Sequence, residues 1–453
     1  MDASSQCTES PCYALDPVKR PTPSLILIFI TVLLDVLGFG LLIPVAPQFI
    51  AKVMGLDPTQ ASLFESQTST KVGMLMATYA LMQFFFAPIL GSLSDRFGRR
   101  PVILISLLGS GLDYFVAAMS PNLAILFITR AINGISGASI TTCGAYIADV
   151  TPPEKRAAGF GIIGAAFGLG FMIGPLLGGV LGQYDIRLPY VAAGVLTLLN
   201  WLYGYFVLPE SLPREMRRPF SWKKANAFTS LKWLASHHVV GVLAAGLFFI
   251  NLAQFGLHST WNLSMSYRFK WDPIHIGASL FVVGITAAVV QGGLSRRIIP
   301  ALGERLCLVG GVGLGILAFL GYGLATHGWM IYAIVVIASI GGVAGPAAQG
   351  IMSKAVPPTE QGRLQGGLSG LNSIAQVAGP LLATYVFRLF TSPNPPIELP
   401  QKGGGAPFLS GALLSVVSLV PVAIMWRRMP ATVREAPIED PVPEDTDVVP
   451  PLG

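Results

Sequence analysis

The stretch Gly91-Ser-Leu-Ser-Asp95-Arg96-Phe-Gly98-Arg99-Arg100 places four charged side chains between two long apolar runs, near 72–93 and 101–119. Each run is close to the roughly 20 residues that a helix needs to cross a bilayer. Gly98 permits a tight turn, and Asp95 can sit against a helix N-terminus, where the macrodipole favours an anion. The stretch therefore predicts a short charged loop between two membrane-spanning helices.

The same alternation of apolar runs and short polar loops extends over most of the chain. Of its 453 residues, 52% are hydrophobic and 11% charged, with a mean hydropathy of +0.63. Soluble domains carry about 25% charged residues. We predict an all-α membrane protein with twelve transmembrane helices, near 25–50, 72–93, 101–119, 122–148, 158–182, 188–209, 239–264, 274–299, 305–325, 328–352, 362–389 and 407–427.

The chain also repeats itself. Gly174-Pro175-Leu176-Leu177 recurs as Gly379-Pro380-Leu381-Leu382, 205 residues later, and Pro152-Pro153 recurs as Pro357-Pro358 at the same offset. Parallel six-helix repeats are typical of transporters that rock two halves about a central site. The predicted domains are an N-terminal half (1–210), a basic linker (211–237), a C-terminal half (238–428) and a disordered tail rich in Pro, Asp and Glu (429–453).

Charge indicates both orientation and the classes to exclude. Most of the 29 Lys and Arg residues fall on loops that share a side with both termini and the linker, which predicts cytoplasmic termini in an inner or plasma membrane. The net charge of +6 is scattered, which disfavours nucleic acid as a partner. No P-loop is present for an ATP-driven pump. The five His are dispersed, which argues against a metal site, a cofactor or a membrane-embedded enzyme, the alternative from another class.

The Gly91–Arg100 stretch resembles the signature of the major facilitator superfamily, G-x-x-x-D-R-x-G-R-R. The resemblance implies a gate at this loop, where the arginines can pair with an acid at a neighbouring helix end such as Asp149. In the second half the aligned loop reads Gly292-Gly-Leu-Ser295, and Arg296 stands where Asp95 stands in the first. The predicted gating residues are Gly91, Asp95, Arg96, Gly98, Arg99, Arg100 and Asp149.

The fifth predicted helix resembles the antiporter motif of the same superfamily, G-x-x-x-G-P-x-x-G-G. Small residues at these spacings let two helices approach closely, and a proline removes one backbone donor. The resemblance implies exchange, with uptake symport of a small metabolite as the alternative. The motif residues are Gly170, Gly174, Pro175, Gly178 and Gly179.

Further segments resemble the tetracycline/proton antiporters and their drug-efflux relatives. They are Leu33-Leu34-Asp35, Leu112-Asp113-Tyr114, Arg130-Ala-Ile-Asn133 and Ala347-Ala348-Gln349-Gly350. The resemblance implies a monomeric exporter of a small lipophilic, drug-like compound in exchange for protons, with tetracycline-like compounds among the candidates. That group carries an acid in its ninth helix, whereas residues 308–320 here contain none. Proton coupling is therefore expected to depend on acids of the first half.

Ionisable residues inside a span are costly and serve as candidates for function. We predict that Asp35, near the middle of the first span, carries the proton, and that Arg130 is the counter-ion of Asp113. A structural hydrogen bond for Asp35 and a snorkelling position for Arg130 are the alternatives. The predicted substrate contacts are Asn133, Gln254 and Gln349. His258 can serve either packing or proton relay.

Overall fold

The computed structural model of this chain describes residues 25–56, 61–137, 139–151, 156–217, 219–220, 227–357 and 360–428. Within these ranges the regular elements are helices, in agreement with the predicted all-α class. The predicted tail (429–453) and positions 221–226 of the predicted linker lie outside the described residues. The N-terminal helices are α1 (Leu25–Leu42), α2 (Ala46–Val53), α3 (Ala61–Phe97), α4 (Arg99–Ala118), α5 (Leu123–Ser136), α6 (Ser139–Val150), α7 (Arg156–Tyr184) and α8 (Leu188–Val207).

The short helix Ala227–Ser236 precedes the C-terminal group and packs on the helix Gln361–Thr391, where Leu231 lies against Gly370. A π-helical turn, Val290–Leu294, joins the helices Pro273–Val289 and Ser295–Leu324. The elements are α9 (Ala227–Ser236), α10 (His238–Phe269), α11 (Pro273–Val289), α12 (Ser295–Leu324), α13 (Gly328–Gly341), α14 (Ala344–Lys354), α15 (Gln361–Thr391) and α16 (Ala406–Arg428).

Nine helical stretches of the described chain are long and apolar enough to cross a membrane, and the bent pair α1–α2 makes a tenth. The helices Pro273–Val289 and Ala406–Pro421 are apolar but shorter. They lie where the remaining spans are predicted, near 274–299 and 407–427. The protein is therefore an integral membrane protein, and the count of twelve spans stays a prediction.

The repeat seen in the sequence reappears in the helix boundaries. Helix α5 ends at Ser136 and α6 begins at Ser139, while α13 ends at Gly341 and α14 begins at Ala344. Both boundaries are displaced by 205 residues, the same offset as the repeated Gly-Pro-Leu-Leu segments. The two halves therefore break the same span at the same place.

The first predicted span is not one straight helix. It breaks at residues 43–45, and its two parts meet at an angle of 56°. Pro44 has no backbone N–H to donate and its ring clashes with the preceding turn, while Pro47 lies in the first turn of α2, where proline is tolerated. The break leaves the carbonyls of Ile43 and Pro44 without helical partners.

Candidate functional site

The two halves enclose a cavity of about 1420 Å³ between α1, α3, α5 and α7 on one side and α10, α11, α12 and α15 on the other. The bundle has two ends. The motif end carries Asp95, Gly98 and Asp149, and the far end carries Pro44, Asn262 and Asp272. This central cavity is the candidate transport site, since such sites in transporters lie at the interface between repeats.

The N-terminal wall of the cavity carries charge. Asp35 and Arg130 both line it. Arg130 Nη2 lies 3.9 Å from Asp113 Oδ2, and the side chains of Arg130 and Asp113 are 15% and 1% exposed. Asn133, three residues after Arg130 on α5, also borders the cavity and is buried. The structure thus brings Asp35, Arg130 and Asn133 to one wall and places Asp113 directly behind Arg130.

The C-terminal wall is polar without permanent charge among the described lining residues. Gln254 and His258 are exposed to the cavity from α10, and Asn372 and Gln376 line it from α15. Gln349 is not brought there, because its exposed amide donates to Gln365 Oε1 at 3.2 Å. Of the predicted substrate contacts, Asn133 and Gln254 therefore reach the cavity and Gln349 does not.

The halves meet at the far end through the broken first span. The Asn262 amide on α10 donates to the carbonyl oxygens of Pro44 at 2.6 Å and Ile43 at 3.2 Å, the groups freed by the break. Gln48 Nε2 donates to Asn262 Oδ1 at 3.4 Å. Asn262 is 4% exposed, so these bonds are shielded from solvent. This contact joins the two halves and closes the cavity at the far end.

A second contact between the halves lies beside it, where Gln183 Nε2 donates to Asp272 Oδ2 at 3.1 Å. Asp272 caps α11 by accepting from the backbone N–H of His275. Burial alone raises the pKa of the Asp272 carboxyl, but hydrogen bonds from the backbone and ring of His275 outweigh burial, and the pKa is lowered. The carboxylate therefore stays ionised and keeps its contacts.

At the motif end the halves stand apart. A Cβ added at Gly164 or Gly168 of α7, or at Gly345 of α14, would meet no neighbouring atom within 4 Å among the described residues, and all three glycines line the cavity. Each ion pair described at this end stays within one half or ties a half to the segment between the halves. The cavity is thus accessible from the motif end.

The predicted gating loop forms a compact charge network around Arg99. Its guanidinium lies 2.6 Å from Asp95 Oδ1 and 3.1 Å from Asp149 Oδ2, and it donates to Ser94 Oγ at 2.6 Å. The Arg99 side chain is only 10% exposed. Gly98 has φ 106°, a left-handed value that L side chains rarely adopt, so the sharp turn requires glycine here.

Glu210 belongs to this network but was missed by the sequence analysis. Its Oε1 accepts from the backbone N–H of Arg99 at 2.8 Å, and Oε2 lies 3.9 Å from Arg217 Nη2. It thereby satisfies a free donor at the first turn of α4, as a capping residue does. The only indication of this role in the sequence is that Glu210 is an acidic residue between the sixth apolar run and the basic linker.

The antiporter motif packs α7 on α1. A Cβ added at Gly174 would lie 2.9 Å from Gly40 Cα, and one at Gly178 would overlap the Leu41 backbone oxygen. Gly179 faces the other half, where an added Cβ would overlap the Pro273 carbonyl of α11. The small residues of the motif therefore serve close contact both within the N-terminal half and between the halves.

The C-terminal half keeps a counterpart of the Arg99–Asp149 pair. Gly303 has φ 79°, and 205 residues after Arg99 and Asp149 stand Glu304 and Lys354, with Oε1 3.0 Å from Nζ. The second half thus keeps an ion pair at the equivalent positions, but the acidic and basic residues have exchanged places. The alignment of Arg296 with Asp95 therefore covers only part of the loop. Equivalent residues of the two halves are 201 positions apart at Ser295 but 205 positions apart at Gly303, so the second half has an insertion of about one helical turn between them.

The family model of the Major Facilitator Superfamily matches residues 28–344 and 302–450. The chain belongs to the Major Facilitator Superfamily. It is 37% identical to the class C tetracycline resistance protein of Escherichia coli over 87% of this chain and 95% of that protein. It is 34% identical to the class H protein of Pasteurella multocida over 80% of this chain and 89% of that protein.

Solved structures agree with this assignment. The crystal structure of the human organic anion transporter MFSD10 (TETRAN) is 27% identical, with a TM-score of 0.66, over 89% of this chain and 100% of that one. The nucleoside transporter NupG, at 12% identity, shares the fold with a TM-score of 0.67 over 89% of this chain and 98% of that one. The protein is a major facilitator transporter of the tetracycline-efflux group and not an enzyme.

Proposed function

We propose that this major facilitator protein exports a lipophilic, drug-like compound, of which tetracycline is the first candidate, in exchange for protons. The observation that carries the proposal is that Asp35 and Arg130 both lie on the wall of a cavity shared by both halves. The printed names of the relatives, which are tetracycline resistance proteins, support the choice of compound. Both termini and the motif end face the cytoplasm in this proposal, so the described state is open inward.

Asp35 carries the coupled proton. It borders the cavity within α1, whereas Asp113 is buried behind Arg130 at 3.9 Å. A proton carrier in an exchanger must be reachable from the cavity, and Asp35 meets that condition directly, whereas Asp113 does not border the cavity. Moving one charge through about 100 mV supplies about 2.3 kcal/mol, enough to concentrate substrate roughly fiftyfold.

Inside-out vesicles energised with an acid interior test the direction of transport. They are expected to accumulate labelled tetracycline, and collapse of the gradient with a protonophore is expected to stop accumulation. Accumulation that continues unchanged in the presence of the protonophore would contradict the antiport proposal. Accumulation only in right-side-out vesicles would favour the uptake symporter.

The substitution Asp35→Asn tests the proton carrier. It removes the titrating group but keeps the size and much of the hydrogen bonding of the side chain. Gradient-driven accumulation is expected to disappear, while exchange of internal for external labelled tetracycline persists. Asp35→Glu, which keeps a carboxyl, serves as the matched control. If Asp35→Asn still concentrates tetracycline with the pH dependence of the unmutated protein, Asp113 becomes the next candidate.

A further inference from the structure

Two pairs of uncharged polar side chains occupy the C-terminal wall of the cavity. Gln254 and His258 lie four residues apart on α10, and Asn372 and Gln376 lie four residues apart on α15. Residues four apart share a helix face, and α10 packs directly on α15. All four side chains line the cavity, and together they form what is called here the amide face.

The amide face has unused hydrogen-bonding capacity. None of its four side chains has a hydrogen-bond partner among the residues that the structure describes, although several other polar side chains of α10 have one. Thr260 donates to the Gly256 carbonyl and Asn262 to the Pro44 carbonyl. A polar group left unpaired in an apolar setting costs free energy. These four side chains are therefore available to a molecule that enters the cavity.

The repeat shows that the polar pair on α15 has no polar counterpart in the first half. The positions 205 residues before Asn372 and Gln376 are Phe167 and Phe171, which line the cavity from α7.

The charged pair Asp113 and Arg130 of the first half, in turn, has no charged counterpart in the second half. The positions 205 residues after Asp113 and Arg130 are Ala318 and Val335, which line the cavity and are 3% and 1% exposed. Among the described lining residues, charge is thus confined to the N-terminal wall, whereas neutral hydrogen-bonding side chains occur on both walls.

We infer that the amide face binds the polar edge of the substrate, while the charged N-terminal wall handles the proton. This inference rests on the proposed function and assigns its substrate contacts. Carboxamides and a neutral imidazole each donate and accept hydrogen bonds. They suit keto, enol and amide groups along one edge of a ligand. Within the described wall no fixed charge is present to pair with an ammonium or carboxylate there.

Aromatic side chains flank the amide face. Phe255 lies between Gln254 and His258 on α10 and lines the cavity, and Phe171 lines the facing wall. Rings of this kind favour stacking with a flat unsaturated body. The ligand class is therefore a polycyclic, largely apolar compound with one edge of keto, enol or amide groups, and tetracycline is a probe that has these features.

Equilibrium binding of tetracycline to the purified full chain in nanodiscs tests the assignment. Replacing Gln254, His258 or Asn372 individually by Leu is expected to raise Kd about fivefold, the effect of one net hydrogen bond. The pair Gln254→Leu/His258→Leu is expected to raise Kd about twentyfold. His258→Gln keeps a donor and an acceptor and is expected to bind nearly as the unmutated protein.

Asn251→Leu is the matched control, since Asn251 is an amide on α10 that does not line the cavity. Its Kd is expected to be unchanged, and size-exclusion chromatography checks that each variant is folded.

Two outcomes overturn the inference. One is a Kd that the Leu substitutions leave unchanged in folded protein. The other is an unmutated protein that does not bind tetracycline. By contrast, if the Leu variants bind more weakly but transport ignores the proton gradient, the amide face stands and the proposed antiport fails.

Discussion

At the scale of single residues, Arg99 is the centre of the motif end. Its buried guanidinium contacts two carboxylates, and the backbone N–H of the same residue donates to Glu210. Removing one partner of a largely buried ion pair leaves the others uncompensated and costs several kcal/mol. A pair that involves an exposed side chain contributes about 1 kcal/mol or less. Asp95, 45% exposed, belongs to the second kind.

We expect Arg99→Ala to lower the free energy of unfolding by about 2–3 kcal/mol, because Asp149 and Ser94 lose their shared donor. Thermal unfolding of the purified protein in detergent measures the effect. Asp95→Asn is the control, with a stability change below about 1 kcal/mol but reduced transport, since it weakens the gate and not the fold. Equal stability losses in the two variants would contradict this account.

At the scale of elements, the contact between α1 and α7 depends on glycine. An added methyl group at Gly178 would overlap the Leu41 backbone oxygen, and backbone cannot swing aside as a side chain can. We expect Gly178→Ala to force the helices apart and to cost about 1–3 kcal/mol in thermal stability. Gly168→Ala, on the same helix, is the control because its added methyl would meet no described atom within 4 Å.

In that comparison the better helix propensity of Ala acts in the same direction at both positions. The difference between the two variants therefore isolates the packing contact. Stability that falls equally at both positions, or at neither, would show that close approach of α1 and α7 does not depend on Gly178.

At the scale of the whole molecule, alternation between two open states requires the far-end contact to break. Asn262 holds it through two carbonyls of the broken first span. We expect Asn262→Leu to favour the state open at the far end, since both hydrogen bonds are lost. A cysteine placed at Ala46, which lines the cavity, is expected to react several times faster with an impermeant maleimide supplied at the far end.

The same cysteine in the Asn251→Leu background supplies the reference rate. Protection of the cysteine in both backgrounds would mean that other contacts, such as the one between Gln183 and Asp272, suffice to keep the far end closed.

Much of this architecture could be predicted because it is local in the sequence. Apolar runs of the right length mark most spans, and the loop motif and the repeat follow from residues that lie close together or at a fixed offset. Asp35, Arg130 and Gln254 were singled out as polar residues inside spans, and all three lie on the cavity wall, while their roles in transport stay predictions. The domain boundaries at 210 and 238 stay predictions.

What escaped prediction depends on contacts between distant segments. Gln349 and His258 are both polar residues inside apolar runs, and only the packing of the helices decides that His258 faces the cavity while Gln349 pairs with Gln365. Asn262 finds its partners 218 and 219 residues away, at carbonyls that are free acceptors because Pro44 breaks a helix. The proline was visible in the sequence, but its partner was not.

Glu304 and Lys354 carry the opposite charges to Arg99 and Asp149, the residues at the equivalent positions of the first half, and this exchange bears on how the two halves diverged. If both halves descend from one duplicated segment, they began with the same pair, and inverting one of them required a stage in which it was broken. Lys354 is 75% exposed, so a broken pair there cost no more than about 1 kcal/mol. This free-energy cost is small compared with the stability of a folded domain, so substitutions that break the pair for a time can be tolerated.

The buried pair, Asp113 and Arg130, has no charged counterpart in the second half. Losing either Asp113 or Arg130 alone leaves an uncompensated charge inside the membrane, and no gradual inversion passes through that stage cheaply. In the second half both equivalent positions are apolar, Ala318 and Val335. The exposed pair is thus present in both halves with opposite signs, whereas the buried pair is present in the first half alone, and the C-terminal wall carries no permanent charge among its described lining residues.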